Sequence, residues 1–214
     1  HSIESHDGGM NEDDYRRALI ENSLDMIAIT DHNSISFAQY LQTKAPFENS
    51  IIVGEEISTT DGDLIGLFLS EVIQPGMTAQ KTAEAIHEQN GFVLVPHPAD
   101  PKRKGMSFAA MDAIADQIDA VEVFNGRIIG SNPPEIGVWA RKNKVAMVAS
   151  SDAHSMSGVG RTYTTLPSMP KDSLELAKLL DDTTELEYSR PPLRAFLAPK
   201  WNSFKNMLRS TERM

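Results

Sequence analysis

Short apolar segments alternate with helical patterns along this chain, and this alternation restricts the fold more than any other feature of the sequence. Four segments are apolar and of strand length, at residues 24–30, 92–95, 120–124 and 145–149. A shorter β-branched segment at 51–53 is expected to end at Gly54, and 162–166 is a further candidate strand. Strands that alternate with helices predict an α/β domain with a largely parallel sheet.

Helices are predicted between these strands from apolar periodicity and from the residues typical of helix ends. They cover residues 11–22, 34–44, 78–89, 106–117, 134–143 and 171–180. The dipeptide Asp61-Gly62 is typical of a two-residue hairpin turn, so it predicts one antiparallel pair of strands in the sheet.

The composition excludes several classes of protein. The chain has 214 residues, 40% of them hydrophobic, with no cysteine and a net charge of -10. Any metal must therefore be held by histidines and carboxylates, and the lack of cysteine suits a cytoplasmic location. The negative net charge argues against a general nucleic-acid-binding protein, which needs a basic surface. No apolar segment reaches the roughly 18 residues of a membrane span, so no membrane-spanning helix is expected.

The end of the chain differs in composition, so we predict one domain over residues 1–187 and a basic tail over 188–214. The tail holds six basic residues and one acidic residue: Arg190, Arg194, Lys200, Lys205, Arg209, Arg213 and Glu212. An apolar stripe of a last helix is expected from Leu197, Trp201, Phe204, Met207 and Leu208, with Pro199 in the first turn. We expect this helix to pack on the domain with its basic face in solvent; contact with an anionic partner is the alternative.

Residues of metal-binding type follow the apolar segments. They are Asp31-His32, Glu55-Glu56, His97, Asn125 and Asp152-Ala153-His154. The carboxyl ends of neighbouring parallel strands lie at one edge of a sheet, so these side chains are expected to meet there. Histidine together with carboxylate suits Zn²⁺, Mn²⁺ or Fe²⁺.

Each of these residues also has a purely structural interpretation. A single histidine after a strand is more often a capping or core residue, and Asp31 or Asp152 could cap the following helix or turn. Three of the six histidines follow predicted strands: His32, His97 and His154. This coincidence favours a metal site. His87 is expected to be solvated on a helix face, and His6 to be a loop residue.

Six motifs resemble, in this order, those of the PHP (polymerase and histidinol phosphatase) family: HSIESHDGG, IAITDHN, VGEEIS, VPHP, VEVFNGR and SSDAH. The pairing of ITDHN with SDAH, about 120 residues apart, is the specific part of the resemblance. It implies a distorted (β/α)7 barrel, related to the TIM barrel, with two or three divalent metal ions (Mn, Zn or Fe) at the carboxyl ends of the strands.

His1-Ser2 is similar to the second half of the His-x-His pair with which the family pattern begins. The first histidine of that pair and the opening barrel strand would lie upstream. We therefore expect that a preceding segment is missing from this sequence and that one metal position is affected.

The resemblance implies ligands for three metal positions. The first ion would be shared by His1, Glu56 and Asp152, the second by Asp7, His32 and His154, and the third by Glu56 and His97. Of the two adjacent glutamates, Glu55 is considered less suitable as a metal ligand than Glu56. Many family members have a further histidine near the end of the strand at 120–124, where this chain has Asn125. Asparagine is a weak ligand, so the third ion is expected to be loosely held or missing.

Two such ions about 3.5–4 Å apart can bridge a hydroxide that attacks phosphorus in line. Asp152 and His154 are the expected catalytic residues, and Arg127 and Arg161 the cations that neutralise the phosphate oxygens. A surface salt bridge is the alternative for each arginine. The basic segment 102–104 is expected to be a solvated loop.

The resemblance thus implies a metal-dependent phosphoesterase acting on small phosphate esters such as nucleotide or sugar phosphates. One alternative is a metal-dependent amidohydrolase or esterase, in which the same chemistry attacks carbon. The other is a non-catalytic PHP-type binding module. The expected partner is a small phosphorylated substrate, and nucleic acid is expected only as a nucleotide or short oligonucleotide. The sequence leaves the oligomeric state open.

Overall fold

The computed structural model describes residues 1–22, 24–128, 133–180 and 184–211, with side chains up to residue 208. Six strands form one sheet in chain order: β1 (Ile27–His32), β2 (Ile51–Thr59), β3 (Gly62–Leu67), β4 (Phe92–Val95), β5 (Ala120–Asn125) and β6 (Ala146–Ser150). Only β3 is antiparallel to its neighbours; the pairs β1–β2, β4–β5 and β5–β6 are parallel. This curled half-barrel sheet confirms the α/β fold class.

Helices and a small second sheet complete the described architecture. The helices are α1 (Glu12–Glu21), α2 (Ser36–Gln42), α3 (Ala79–Glu88), α4 (Phe108–Ala113), α5 (Pro134–Asn143), α6 (Ser173–Leu179) and α7 (Leu193–Thr211). Short 3₁₀ helices cover Pro101–Arg103 and Ala115–Gln117. The antiparallel pair β7 (Thr162–Thr165) and β8 (Glu185–Tyr188) forms the second sheet, and β8 is an element that the sequence pattern did not predict.

Side-chain caps begin several of these helices. The Asn11 side chain accepts from the backbone N–H of Asp14, and the Asp14 carboxylate accepts from that of Asn11, which is a complete capping box. The side chains of Thr78, Ser107 and Asp172 each accept from a backbone N–H in the first turn of α3, α4 and α6, without the reciprocal bond. These polar residues therefore define where the helices start.

Both faces of the sheet are buried. Along β2, Ile51 and Val53 pack in the larger apolar cluster with the helices, whereas Ile52 packs in a second cluster on the opposite face. The same alternation separates Leu64 from Ile65 in β3. Because successive side chains of a strand point to opposite faces, continuous apolar segments fit a sheet that is covered on both sides.

Three expectations about local structure are wrong. Gly54 does not end its strand: β2 continues to Thr59, since both neighbouring strands pair with Gly54 and a Cβ there would lie 2.9 Å from the Thr30 side chain. The predicted helix over 106–117 is interrupted at Ile114, where a 3₁₀ turn follows α4. Pro199 lies in the second turn of α7, because that helix already begins at Leu193.

The apolar stripe of the last helix does not pack inward as expected. Its members are 46% to 58% exposed: Leu197, Trp201, Phe204, Met207 and Leu208. The helix contacts the domain instead through small residues, of which Ala195 and Ala198 are buried. Glu212 and Arg213 of the predicted basic tail lie outside the described residues. No described helix is both long enough and apolar enough to cross a bilayer.

Candidate metal centre

The polar residues that follow the strands meet at one edge of the main sheet. The strands β1, β2, β4, β5 and β6 run in the same direction, so their carboxyl ends share this edge. His32 and Glu56 are register partners on β1 and β2, and His32 Nδ1 lies 3.4 Å from Glu56 Oε2. On the other side, His97 Nε2 lies 3.0 Å from Glu56 Oε1.

His1, Glu56 and Asp152 form the first group of donors. His1 Nε2 lies 3.1 Å from Glu56 Oε2 and 3.5 Å from Asp152 Oδ1. All three side chains are buried. Glu56 reaches the site from within β2 rather than from its end, because the strand continues for three residues beyond it.

Asp7, His32 and His154 form the second group. Asp7 Oδ1 lies 3.4 Å from His32 Nε2, and Asp7 Oδ2 lies 3.1 Å from His154 Nε2. Donor atoms of these three residues and of His1 all lie within 4.8 Å of one another. The structure therefore brings together all seven residues that the resemblance implied as ligands.

The third group contains a carboxylate that the sequence reasoning missed. Donor atoms of Glu56, Asp63 and His97 lie within 4.8 Å of one another, and all three residues are buried. Asp63 is the second residue of β3, which begins at the edge where β2 ends because the two strands form a hairpin. Ligands were expected only at the carboxyl ends of strands, and Asp63 lies at the start of one. The sequence signal that could have identified Asp63 is its position directly after the Asp61-Gly62 turn.

Glu55 faces away from this centre. Its Oε2 accepts a hydrogen bond of 2.8 Å from the backbone N–H of Ile73, on the helix-covered face of the sheet. Burial raises the pKa of Glu55 to about 7. The choice of Glu56 over Glu55 follows from the two-residue period of the strand.

Asn125 and Arg103 occupy the side of the cluster where the resemblance predicts another histidine. Asn125 Oδ1 accepts from Arg103 Nη1 at 2.7 Å, and Asn125 Nδ2 donates to Glu122 Oε2 at 2.8 Å. Arg103 Nη1 also donates to Asp152 Oδ2 at 2.8 Å, and Arg103 Nε to Asp100. The expectation of a solvated loop over 102–104 is therefore wrong for Arg103, whose side chain is largely buried.

The two arginines proposed as phosphate-binding residues have different positions. Arg127 Nη1 lies 3.3 Å from Asp152 Oδ1 and 3.3 Å from His154 Nε2, so it borders the cluster. Arg161 is exposed at the start of β7 and does not line the cavity above the cluster. That cavity has a volume of about 560 Å³, and its wall includes Lys102, Arg103, Lys104 and Arg127.

Asp31 supports the cluster rather than capping a helix. Its carboxylate accepts from Ser2 N and Ser2 Oγ, both at 2.6 Å, and from Ser5 Oγ at 2.8 Å. Ser5 Oγ in turn accepts from the backbone N–H of His32 and lies 3.3 Å from His1 Nδ1. Helix α2 has no side-chain cap, so the capping interpretation of Asp31 is wrong. The network orients His1 and His32 through their neighbours.

The two remaining histidines belong to none of the three donor groups, although His6 lines the cavity and its ring centroid lies 5.2 Å from that of His32. His87 is partly exposed on α3, with Nε2 3.3 Å from Asp119 Oδ2. The side chain of His6 is 74% exposed in a loop. Both positions agree with the structural interpretations given for them.

Proximity of charges shifts the pKa values of the cluster strongly. Burial alone would lower the pKa of His1, but hydrogen bonds and charges from Asp152 and Glu56 outweigh it and raise the pKa to about 10. Burial alone would raise the pKa of Asp7, but its bonds to His154 and His32 hold that pKa below its usual range. The pKa of Glu56 is likewise depressed by His1 and His97 despite burial. Asp7 and Glu56 are thus charged, as metal ligands must be.

Backbone strain and buried polar atoms without a hydrogen-bond partner occur at the cluster of candidate ligands. His97 and Asp152 have φ values of 31° and 48°, a region that side chains other than glycine rarely adopt. Among the described residues, neither the buried Oδ1 of Asp63 nor the buried Nδ1 of His97 has a hydrogen-bond partner. Buried polar atoms are normally satisfied, so these atoms indicate a missing partner at this end of the sheet.

One family model and two archaeal proteins match the sequence of this chain. The PHP-associated family (PHP_C) matches residues 135–182. The uncharacterized protein MJ1587 of Methanocaldococcus jannaschii is 38% identical over 106 residues, which are 49% of this chain and 60% of that protein. The uncharacterized protein MJ0417 of the same organism is 32% identical over 170 residues, which are 72% of this chain and 67% of that protein.

Solved structures share the fold at low sequence identity. A two-domain protein from Bacteroides vulgatus, described as containing a predicted PHP-like metal-dependent phosphoesterase, has a TM-score of 0.66 at 20% identity; 96% of this chain and 67% of that one are covered. An amidohydrolase from Chromobacterium violaceum, with bound sulfate and no metal, has a TM-score of 0.58 at 14% identity, over 93% and 94% of the two chains.

Proposed function

The chain belongs to the PHP family, and from this membership we propose that it is a metal-dependent hydrolase whose substrates are small phosphate esters. The observation that carries the proposal is the convergence of four histidines and four carboxylates at one end of the sheet. Such a set of nitrogen and oxygen donors suits Zn²⁺, Mn²⁺ or Fe²⁺.

We propose three ion positions. His1, Glu56 and Asp152 would hold the first, and Asp7, His32 and His154 the second. Glu56, His97 and Asp63 would hold the third, with Asp63 supplying the ligand that Asn125 does not. The unsatisfied Oδ1 of Asp63 supports this assignment, because a cation there would give that buried oxygen a partner.

The bound ions would act as Lewis acids on the phosphoryl group and on the attacking water. The protein's own residues orient the ligands and the substrate. Arg103 holds the Asp152 carboxylate by a 2.8 Å bond, and Asp31 holds the loop that carries His1. Arg127, which lines the cavity, is proposed to donate to phosphate oxygens, whereas Arg161 does not line it and is not assigned that role.

The amidohydrolase alternative would use the same ligands on a carbon centre. The cavity wall favours phosphate, because Lys102, Lys104 and Arg127 provide positive charge that an amide or ester does not need. The non-catalytic alternative would not require an intact set of ligands. A cytoplasmic location remains a prediction from the sequence.

The test measures metal content and hydrolysis on the same samples. Protein loaded with Mn²⁺ or Zn²⁺ is analysed for bound metal and assayed on nucleotide and sugar phosphates, with amides and carboxylic esters in parallel. We expect at least two ions per chain and release of phosphate. Asp152→Asn and Glu56→Gln should lower kcat at least about 100-fold, because each removes a ligand charge.

Glu55→Gln is the matched control, since it is the same change one residue away on the opposite face of β2. It should keep both the metal content and the activity. Hydrolysis confined to amides or esters would favour the alternative, and a protein that is active without metal would contradict the proposal.

A further inference from the structure

Helix α7 reaches the cluster from outside the sheet. Two asparagines on its inner face bond to the loops that carry the candidate ligands. Asn202 Nδ2 donates to the backbone oxygens of Asp7 at 3.1 Å and of His154 at 3.0 Å. Asn206 Nδ2 donates, within the described part of the chain, to the backbone oxygen of His6 at 3.1 Å. The helix therefore contacts this site through specific amide hydrogen bonds.

Asn202 links two residues whose side chains already meet. Asp7 Oδ2 and His154 Nε2 are 3.1 Å apart, although these residues are 147 positions apart in the chain. A single amide nitrogen bonds the carbonyl oxygens of both. The orientation of the amide is unambiguous, since carbonyl oxygens only accept and the asparagine nitrogen only donates.

The loop is shaped to admit this amide. A Cβ at Gly9 would lie 2.7 Å from Asn202 Nδ2 and 2.8 Å from its Oδ1, so any larger residue there would displace this amide. Gly9 follows Asp7 by two positions. The close approach of α7 thus depends on the same short segment that positions the Asp7 carboxylate.

We propose that Asn202 is a positioning residue of the metal centre, which sets the separation of Asp7 and His154 and thereby the affinity of the second ion position. The inference rests on the proposed metal-dependent function. Residues that orient metal ligands through hydrogen bonds commonly change metal affinity about 10- to 100-fold when they are replaced. Asn202 would act through the backbone of two ligands at once.

The experiment is a Mn²⁺ titration of the full chain, read by calorimetry and by the EPR signal of free Mn²⁺. Asn202→Asp keeps the shape of the side chain but removes both donated hydrogens, and Asn202→Ala covers the case in which the acidic variant does not fold. Both should weaken one metal equivalent about tenfold or more and leave the remaining equivalents unchanged. Asn206→Asp is the matched control, one helical turn away, and should bind as the wild type does.

The outcomes separate the inference from the proposed function. Unchanged affinity in both Asn202 variants would overturn the inference. Equal weakening of all equivalents, or the same loss in Asn206→Asp, would overturn it too, because it would show that α7 only contributes to folding. A wild-type chain that binds no divalent ion would overturn the proposed function itself.

Discussion

Glu55 and Glu56 are adjacent in β2, and their carboxylates lie in opposite environments. Glu56 is surrounded by histidines, whereas Glu55 is buried with one backbone donor and a pKa raised to about 7. The folded state therefore binds more protons at Glu55 than the unfolded state between about pH 4.5 and 7. Its contribution to stability is present below this window and is lost as pH rises through it.

We predict that Glu55→Gln removes this pH dependence. The shift of about 2.5 pKa units corresponds to at most about 3 kcal/mol between the two ends of the window. The measurement is urea unfolding of the metal-free protein at several values from pH 5 to 8, compared with wild type so that other titrating groups cancel. A constant difference between the two proteins across this range would contradict the prediction.

Asp63 is the residue that the hairpin brings to the cluster. Burial and the nearby charge of Glu56 raise its pKa, which a third cation would reverse. Asp63→Asn should therefore remove one equivalent of bound metal, as measured by elemental analysis after loading. Asp61→Asn, in the exposed turn of the same hairpin, is the control and should keep the full count. An unchanged metal content in Asp63→Asn would exclude Asp63 as a ligand.

At the scale of elements, the β2–β3 hairpin places Asp63 at the edge of the sheet where the candidate ligands meet. Its turn depends on Gly62, which has a φ of +124° and lies against the backbone of Met106. A Cβ at Gly62 would be 2.7 Å from Met106 Cα. Both the backbone conformation and the close approach therefore require glycine here.

Gly62→Ala should destabilise the protein by about 3 kcal/mol or more, because strain and steric overlap add. Gly76→Ala isolates the strain: its φ is +83°, but no described atom lies within 4 Å of the added Cβ. That variant should cost only about 1–2 kcal/mol. Urea denaturation midpoints of the two variants provide the comparison, and equal losses would show that the contact with Met106 is unimportant.

At the scale of the molecule, charged ligands from distant parts of the chain are buried together. In the metal-free protein they neutralise one another as histidine–carboxylate pairs, and divalent ions would replace the histidine protons. We predict that each ion, at 100 times its Kd, stabilises the fold by about 2.7 kcal/mol, which raises Tm by about 5–10 °C.

Thermal unfolding with and without Mn²⁺, after treatment with a chelator, measures this effect. Because His1 has a raised pKa, metal binding should also release protons and weaken as pH falls. Glu56→Gln should lose most of the metal-dependent rise in Tm. The same Tm in chelator and in Mn²⁺ would contradict a buried metal centre.

The sequence alone determined the features that depend on local signals. Apolar segments predicted β1, β4, β5 and β6, and Asp61-Gly62 predicted the hairpin, because strand burial and turn conformation are set by neighbouring residues. The positions of His32, His97 and His154 after strands were sufficient to expect that these side chains meet, since parallel strands share an edge.

Only the tertiary structure decided the remaining features of the site. It brought Asp63 to the cluster from the start of an antiparallel strand, buried Arg103 against Asp152, and left Arg161 outside. It also placed Asn202 against Asp7, 195 residues away. Such contacts depend on the order of strands and on how a helix docks, and neither is encoded in the periodicity or the turn residues of any single segment.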